Sequence, residues 1–128
     1  MYTLLVADDN RLSRDLVRDV LESADCRVME ASDGQQALEL LEAATPDLVL
    51  LDVNMPVKDG FAVLEAIRGN PRLSGIPVLA VTANVMQPDR DRILAAGFDA
   101  YVTKPINTTA LRQRVAGLLS FDRKGDAP

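Results

Sequence analysis

The sequence lacks histidine and tryptophan altogether among its 128 residues, and it has one cysteine, Cys26. Without histidine the chain cannot supply a Ser-His-Asp or Cys-His catalytic set, a histidine ligand for zinc or a phosphohistidine carrier. A single cysteine cannot form an internal disulfide. Any chemistry must therefore use carboxylates, hydroxyls, lysine or a bound ion.

The sequence also lacks basic clusters and long apolar runs. Its net charge is -5 and no stretch concentrates Lys and Arg, which argues against a direct nucleic-acid partner. The longest apolar runs are too short to cross a bilayer, and the first residues lack the charged start and apolar core of an export signal. These absences predict a cytoplasmic protein with no membrane partner.

Length and composition predict one domain. A chain of 128 residues with 48% hydrophobic residues can bury one substantial core but has no room for a second. We place the domain at residues 1–119. Residues 120–128 contain charge, Gly and Pro but little to bury, so we expect a flexible tail or the start of a linker there.

Two short apolar runs end abruptly in acid. Leu48 to Leu51 is followed by Asp52, and Thr3 to Ala7 is followed by Asp8 and Asp9. Short, continuous apolar runs are typical of strands buried on both faces. Each strand therefore ends by delivering a charged group to its carboxyl end.

Strand-like and helix-like segments alternate along the chain. Three further strands are predicted at residues 27–31, 76–82 and 100–103, the first of them at the outside of the sheet. Segments with apolar residues at helical spacing lie between the strands and after the last one. In the first helix the predicted apolar face is Leu12, Leu16, Val17, Val20 and Leu21. The pattern predicts an α/β fold: a doubly wound, five-stranded parallel sheet with five helices.

In such folds ligands bind at the carboxyl ends of the strands, which here carry the acids together with Thr82 and Lys104. Three converging carboxylates remain ionised together only around a cation, and an oxygen-only ligand set favours Mg²⁺. A metal ion, an ammonium group and a hydroxyl around one carboxylate suit an incoming phosphoryl group. Asp52 would then be the nucleophile that forms an acyl phosphate.

Four motifs in this order resemble the receiver domain of response regulators in two-component signalling, of the chemotaxis-regulator type, over residues 2–119. They are Asp8-Asp9; Asp52 with Met55-Pro56 and Asp59-Gly60; Val81-Thr82-Ala83; and Tyr101 with Lys104-Pro105. The resemblance implies the flavodoxin-like receiver fold and a cis peptide bond between Lys104 and Pro105.

The same resemblance implies a function. Asp52 accepts a phosphoryl group from a histidine kinase or histidine phosphotransfer protein, and Lys104 contacts that group. Asp8, Asp9, Asp52 and the backbone of Asn54 hold the Mg²⁺ cofactor.

By the same resemblance, Thr82 and Tyr101 switch together, and an effector binds the face made by the fourth helix, fifth strand and last helix. A weak homodimer through the last helix would also be compatible with the family. The domain would lose its phosphoryl group slowly by itself and would not be a turnover enzyme.

Simpler readings remain for single residues. Asp9 or Asn10 could cap the first helix, and Asp52 alone could begin a turn. An aspartyl-phosphate-forming phosphatase would have a second acid two residues after its nucleophile, where this chain has Asn54. A flavin-binding protein would have a hydroxyl-rich phosphate loop where the acid pair stands. A receiver-shaped binding module that is never phosphorylated is the third alternative.

Overall fold

In the computed structural model, which describes residues 2–24, 26–83 and 87–126, five strands alternate with five helices. The elements are β1 (Tyr2–Ala7), α1 (Arg11–Ser23), β2 (Cys26–Ala31), α2 (Gly34–Ala43), β3 (Leu48–Asp52), α3 (Gly60–Arg68), β4 (Val78–Thr82), α4 (Gln87–Ala96), β5 (Ala100–Thr103) and α5 (Thr108–Asp126). The predicted alternation is confirmed.

The strands form one parallel sheet in the order β2-β1-β3-β4-β5. As predicted, β2 lies at an edge. The winding reverses between β1 and β3, because the chain first moves outward to β2 and then crosses back to the other side of β1. That reversal opens a crevice at the carboxyl ends of these two strands.

The side chains of β3 alternate between two apolar layers. Leu48 and Leu50 pack in the layer that includes residues of α1 and α5, whereas Val49 and Leu51 pack in the layer that includes α2 and α3. All five residues of β3 are buried. This two-sided burial explains why the strand is continuously apolar until Asp52.

Four helices begin at side-chain caps, each accepting a hydrogen bond from the backbone N–H three residues later. The capping residues are Asn10, Asp33, Asp59 and Asn107, with donor–acceptor distances of 3.0, 2.8, 2.9 and 2.9 Å. Such caps satisfy amides that have no partner within the helix. Because Asn10 caps α1, capping does not account for the acid at Asp9.

The predicted apolar face of α1 is only partly covered. Val17, Val20 and Leu21 are buried, but Leu12 is 80% exposed and Leu16 is 38% exposed. The two exposed leucines lie in the first half of α1, which follows the carboxyl end of β1. Helical spacing groups these five residues on one face, but it does not tell which of them the rest of the fold covers.

The last two helices differ in how many of their apolar residues are known to be buried. In α4, Ile93 is buried while Leu94 is 51% exposed, and the guanidinium of Arg92 lies 4.1 Å from the ring centroid of Phe61. In α5, Leu111, Val115 and Leu119 are buried and Leu118 is half-buried, as expected for an inward face made of these four residues. The helix runs past residue 119 to Asp126, and the domain boundary at 119 stays a prediction.

A membrane-spanning helix is absent from the described residues, since none of their helices is both long and apolar enough.

Candidate functional site

The candidate site lies where β1 and β3 end side by side. Ala7 is paired with Leu51, so the residues that follow them, Asp8 and Asp52, are neighbours. Both are buried, at 3% and 4% exposure, whereas Asp9 is exposed. One carboxylate oxygen from each of the three acids lies within 4.8 Å of the others. The structure therefore brings together the acids that the sequence predicts to be neighbours.

The environment of Asp8 opposes its ionisation. Burial is the largest influence and raises the pKa of the Asp8 carboxyl, and the nearby Asp52 carboxylate raises it further. A hydrogen bond from the backbone N–H of Asn10 at 2.8 Å and the ammonium of Lys104 act in the opposite direction but do not cancel the increase. Burial first, and the like charge of Asp52 second, therefore disfavour the ionised form of Asp8.

Lys104 bridges the two buried acids. Its Nζ lies 2.9 Å from Oδ2 of Asp52 and 3.1 Å from Oδ2 of Asp8. Partial burial by itself would lower the pKa of Lys104, but the hydrogen bond and charge of Asp52, with those of Asp8, raise it above its ordinary value. Lys104 is therefore a stable ammonium group in direct contact with the predicted nucleophile.

The backbone beyond β3 contacts Asp52 closely. The N–H of Asn54 donates to Oδ1 of Asp52 at 2.9 Å, so the two carboxylate oxygens have different donors. An ideal Cβ on Gly60 would lie 2.7 Å from the backbone oxygen of Asp52. Only glycine allows α3 to begin this close to the end of β3.

The loop between Asp52 and Gly60 contains one strained residue. Val57 has a φ of 70°, a left-handed conformation that is rare for a β-branched residue. The N–H of Lys58 donates to the carbonyl of Pro56 at 2.8 Å, which makes a three-residue turn around Val57. The Val57 side chain is 76% exposed.

The two predicted switch residues lie on adjacent strands. Thr82, 1% exposed, ends β4 one residue beyond Val81, which pairs with Asp52. Tyr101 on β5 is half-buried and packs against the core layer of α2 and α3. The carbonyl of Thr82 also accepts a hydrogen bond from the N–H of Lys104 at 2.8 Å. Their switching role stays a prediction.

Two residues at the site have no counterpart in the sequence-based prediction. Arg14 Nη1 donates to the backbone carbonyl of Asp8 at 2.9 Å, and its Nε donates to Glu30 Oε1 at 3.2 Å. In the sequence Arg14 is one of several charged residues on the polar face of α1, and Glu30 is one polar residue in an edge strand. No local pattern distinguishes them, because their contact depends on how α1 crosses β1 and β2.

Comparison with protein families identifies one domain. A family model described as the response regulator receiver domain matches residues 4–116. Among curated proteins, the chain is 32% identical over 117 residues to the polar-differentiation response regulator DivK of Brucella anthropi. The alignment covers 91% of this chain and 95% of that protein.

Solved structures give the same assignment. The chemotaxis response regulator CheY4 of Vibrio cholerae superposes with a TM-score of 0.87 at 30% identity, covering 92% of this chain and 98% of that one. The receiver domain of a Pseudomonas aeruginosa sensor histidine kinase, determined with a magnesium ion in its active-site cleft, gives a TM-score of 0.86 at 30% identity. That alignment covers 93% of this chain and 98% of the other.

Proposed function

We propose that this chain, which belongs to the response regulator receiver domain family, accepts a phosphoryl group on Asp52 with the help of Mg²⁺. One observation carries the proposal. The carboxylates of Asp8, Asp9 and Asp52 converge within 4.8 Å, and the Nζ of Lys104 lies 2.9 Å from Asp52. Receiver domains of this family interact with histidine kinases and effectors, and they are not classical enzymes.

The donor set fits Mg²⁺. The cluster offers only oxygen ligands, which this hard ion prefers, and it concentrates negative charge that a divalent cation would neutralise. Asp8, Asp9, Asp52 and the backbone carbonyl of Asn54 are the residues that would hold it. When bound, the ion would reduce the repulsion between an anionic nucleophile and an anionic phosphoryl group.

The transfer step follows from the position of Asp52. A carboxylate oxygen of Asp52 attacks the phosphorus of a phosphohistidine in the partner, so an O–P bond forms and the N–P bond breaks. The electron pair of the broken bond stays on the imidazole nitrogen. Lys104, already an ammonium group beside Asp52, then neutralises charge on the transferred oxygens.

The output that we propose runs through Thr82 and Tyr101 to the face formed by α4, β5 and α5. Thr82 lies beside the end of β3, where its hydroxyl could donate to a new phosphoryl oxygen. Tyr101 is half-buried, and within residues 90–96, the part of α4 whose burial the structure describes, only Ile93 is buried. Such sparse burial lets this region repack. Slow self-dephosphorylation and a weak homodimer through α5 belong to the same proposal.

The test is intact mass after incubation with acetyl phosphate and MgCl₂. Wild type should gain the mass of one phosphoryl group, Asp52→Asn should gain none, and EDTA should prevent the gain. Asp59→Asn is the matched control, because it changes an acid of the same loop to another good helix-capping residue. Labelling of Asp52→Asn at the wild-type level would refute the assignment of Asp52.

The same samples distinguish the alternative functions. A chain that is never labelled although its wild-type fold is intact would be a receiver-shaped binding module. Rapid, repeated hydrolysis of the donor would instead indicate a phosphatase. We expect neither, but a single label that decays slowly after the donor is removed.

A further inference from the structure

We propose that Arg14, oriented by Glu30, is a positioning residue that fixes the backbone of the acid pair for metal binding. The inference rests on the proposed function, in which Asp8 and Asp9 help to hold Mg²⁺. It concerns residues that touch neither the ion nor the phosphoryl group. Their effect is exerted through the peptide group of Asp8.

The backbone of Asp8 is held from two neighbouring elements. Its N–H donates to the carbonyl of Ala31 at 3.1 Å, which extends the hydrogen bonding of β1 with β2. Its carbonyl accepts from Nη1 of Arg14 at 2.9 Å. The Arg14 side chain is only 17% exposed, so this contact is largely protected from water. The peptide that joins Asp8 to Asp9 is thus fixed at its oxygen.

Glu30 determines where the guanidinium of Arg14 points. Glu30 Oε1 accepts from Nε of Arg14 at 3.2 Å, and Oε2 lies 3.3 Å from Nη1 of Arg18. The planar guanidinium can therefore donate to Glu30 with one nitrogen and to Asp8 with another. A lysine has a single ammonium on a flexible stem and cannot reproduce this fixed fork.

The positioning role and a purely electrostatic role predict opposite effects on Mg²⁺ affinity. Mg²⁺ requires nearly ideal octahedral geometry, so a backbone shift at Asp8 and Asp9 would weaken binding. By charge alone, a guanidinium beside three carboxylates repels the incoming cation, and removing it would strengthen binding. The sign of the change in affinity therefore separates the two roles.

The experiment compares Arg14→Gln and Arg14→Lys with wild type by titrating the metal-free proteins with MgCl₂ and following backbone amide chemical shifts. We expect both variants to bind Mg²⁺ about tenfold more weakly, the lower end of the effect of residues that orient metal ligands. Arg18→Gln is the matched control. It removes a neighbouring arginine that contacts Glu30 but has no contact with the Asp8 carbonyl among its described bonds, and its affinity should stay close to wild type.

A second readout needs no metal. In the metal-free proteins, hydrogen exchange of the Asp8 amide, which faces Ala31, should be faster in both Arg14 variants and unchanged in Arg18→Gln. Glu30→Gln should also weaken Mg²⁺ binding, but by less than the Arg14 variants. The guanidinium of Arg14 then loses its charged partner, while its hydrogen bond to the Asp8 carbonyl can persist. If Arg14→Gln does not fold in urea-denaturation controls, Arg14→Lys and Glu30→Gln decide the question.

The outcomes are separable from those of the proposed function. Tighter binding by Arg14→Gln, or wild-type binding by Arg14→Lys, would overturn the positioning role while leaving the metal site intact. Failure of the wild-type protein to bind Mg²⁺ would refute the metal site itself, and this inference with it.

Discussion

The middle of β3 is apolar and buried, whereas its last residue is buried but charged. Leu50 and Leu51 are almost fully buried in the two apolar layers, and such burial is the main source of folding stability. Asp52 is equally inaccessible, yet it shares its surroundings with the buried acid Asp8 and with the ammonium of Lys104. The strand interior stabilises the fold, and its end concentrates charge.

The difference shows how the fold accommodates an unfavourable site. Asp8 is forced into a buried position where its pKa is raised, which costs stability that the apolar layers must offset. Substitutions in the strand interior should therefore affect folding, whereas substitutions at the strand end should affect metal binding and can even stabilise the chain.

The largest expected effect is a loss of stability when a buried residue in the middle of β3 is truncated. Leu50→Ala removes a side chain that is 1% exposed and should lower the free energy of unfolding by about 2–5 kcal/mol through lost burial and a cavity. Urea denaturation measures the loss. Leu94→Ala, at a 51% exposed position, is the control and should change stability far less. A comparable loss in both variants would mean that burial does not rank these positions.

A smaller loss of stability is expected at Gly60, where α3 begins against the end of β3. In Gly60→Ala the added Cβ would lie 2.7 Å from the backbone oxygen of Asp52 and 2.8 Å from the Cα of Val53. Relief of that overlap should cost about 1–3 kcal/mol and move Asp52. Gly75→Ala is the control, because its Cβ would meet nothing within 4 Å. Thermal unfolding, with Mg²⁺ titration of the folded protein, measures both consequences.

At Asp8, beside the end of β3, we expect a substitution to increase stability and not to decrease it. Asp8→Asn should stabilise the metal-free protein at neutral pH, within the roughly 0.5–2 kcal/mol that single stabilising substitutions commonly yield. Because the folded pKa of Asp8 lies above the ordinary value of 3.8 for an aspartate, wild type loses stability as pH rises from about that value through the folded pKa. The advantage of the variant should therefore disappear at lower pH.

Mg²⁺ provides the complementary measurement for Asp8. Adding MgCl₂ at neutral pH should raise the melting temperature of wild type, since a ligand that binds only the folded state stabilises it. The increase should be much smaller in Asp8→Asn. A variant less stable than wild type at neutral pH without metal would show that Asp8 contributes more through its hydrogen bonds than it costs through repulsion.

The smallest effect concerns the strained turn. Val57→Gly should relieve the left-handed conformation at φ 70°, worth about 1–2 kcal/mol. The greater freedom of glycine in the unfolded chain would offset about 0.4–1 kcal/mol of that. A small net gain in thermal stability is expected. Val57→Ala keeps a Cβ, so it should gain nothing, and an equal gain there would assign the effect to the exposed valine side chain instead.

Local sequence patterns determined the strands, the helices and the type of site. Continuous apolar runs ending in Asp8-Asp9 and Asp52 indicate buried parallel strands that carry acids at their carboxyl ends. Gly97, which directly follows α4, has a φ of 112°, a conformation that glycine adopts readily and that makes it a common residue at helix ends. The cis bond between Lys104 and Pro105, expected from the resemblance, is also present. These features depend on short segments or on family-wide motifs, and so they can be read without coordinates.

Only the tertiary structure decided the features that join distant segments. Periodicity grouped Leu12 and Leu16 with the buried residues of α1, yet both remain exposed in the folded chain. The sequence also gave no sign that Arg14 would reach from α1 to the carbonyl of Asp8 while paired with Glu30 on β2. A local pattern records which residues share a face, whereas coverage and long-range hydrogen bonds depend on how whole elements cross.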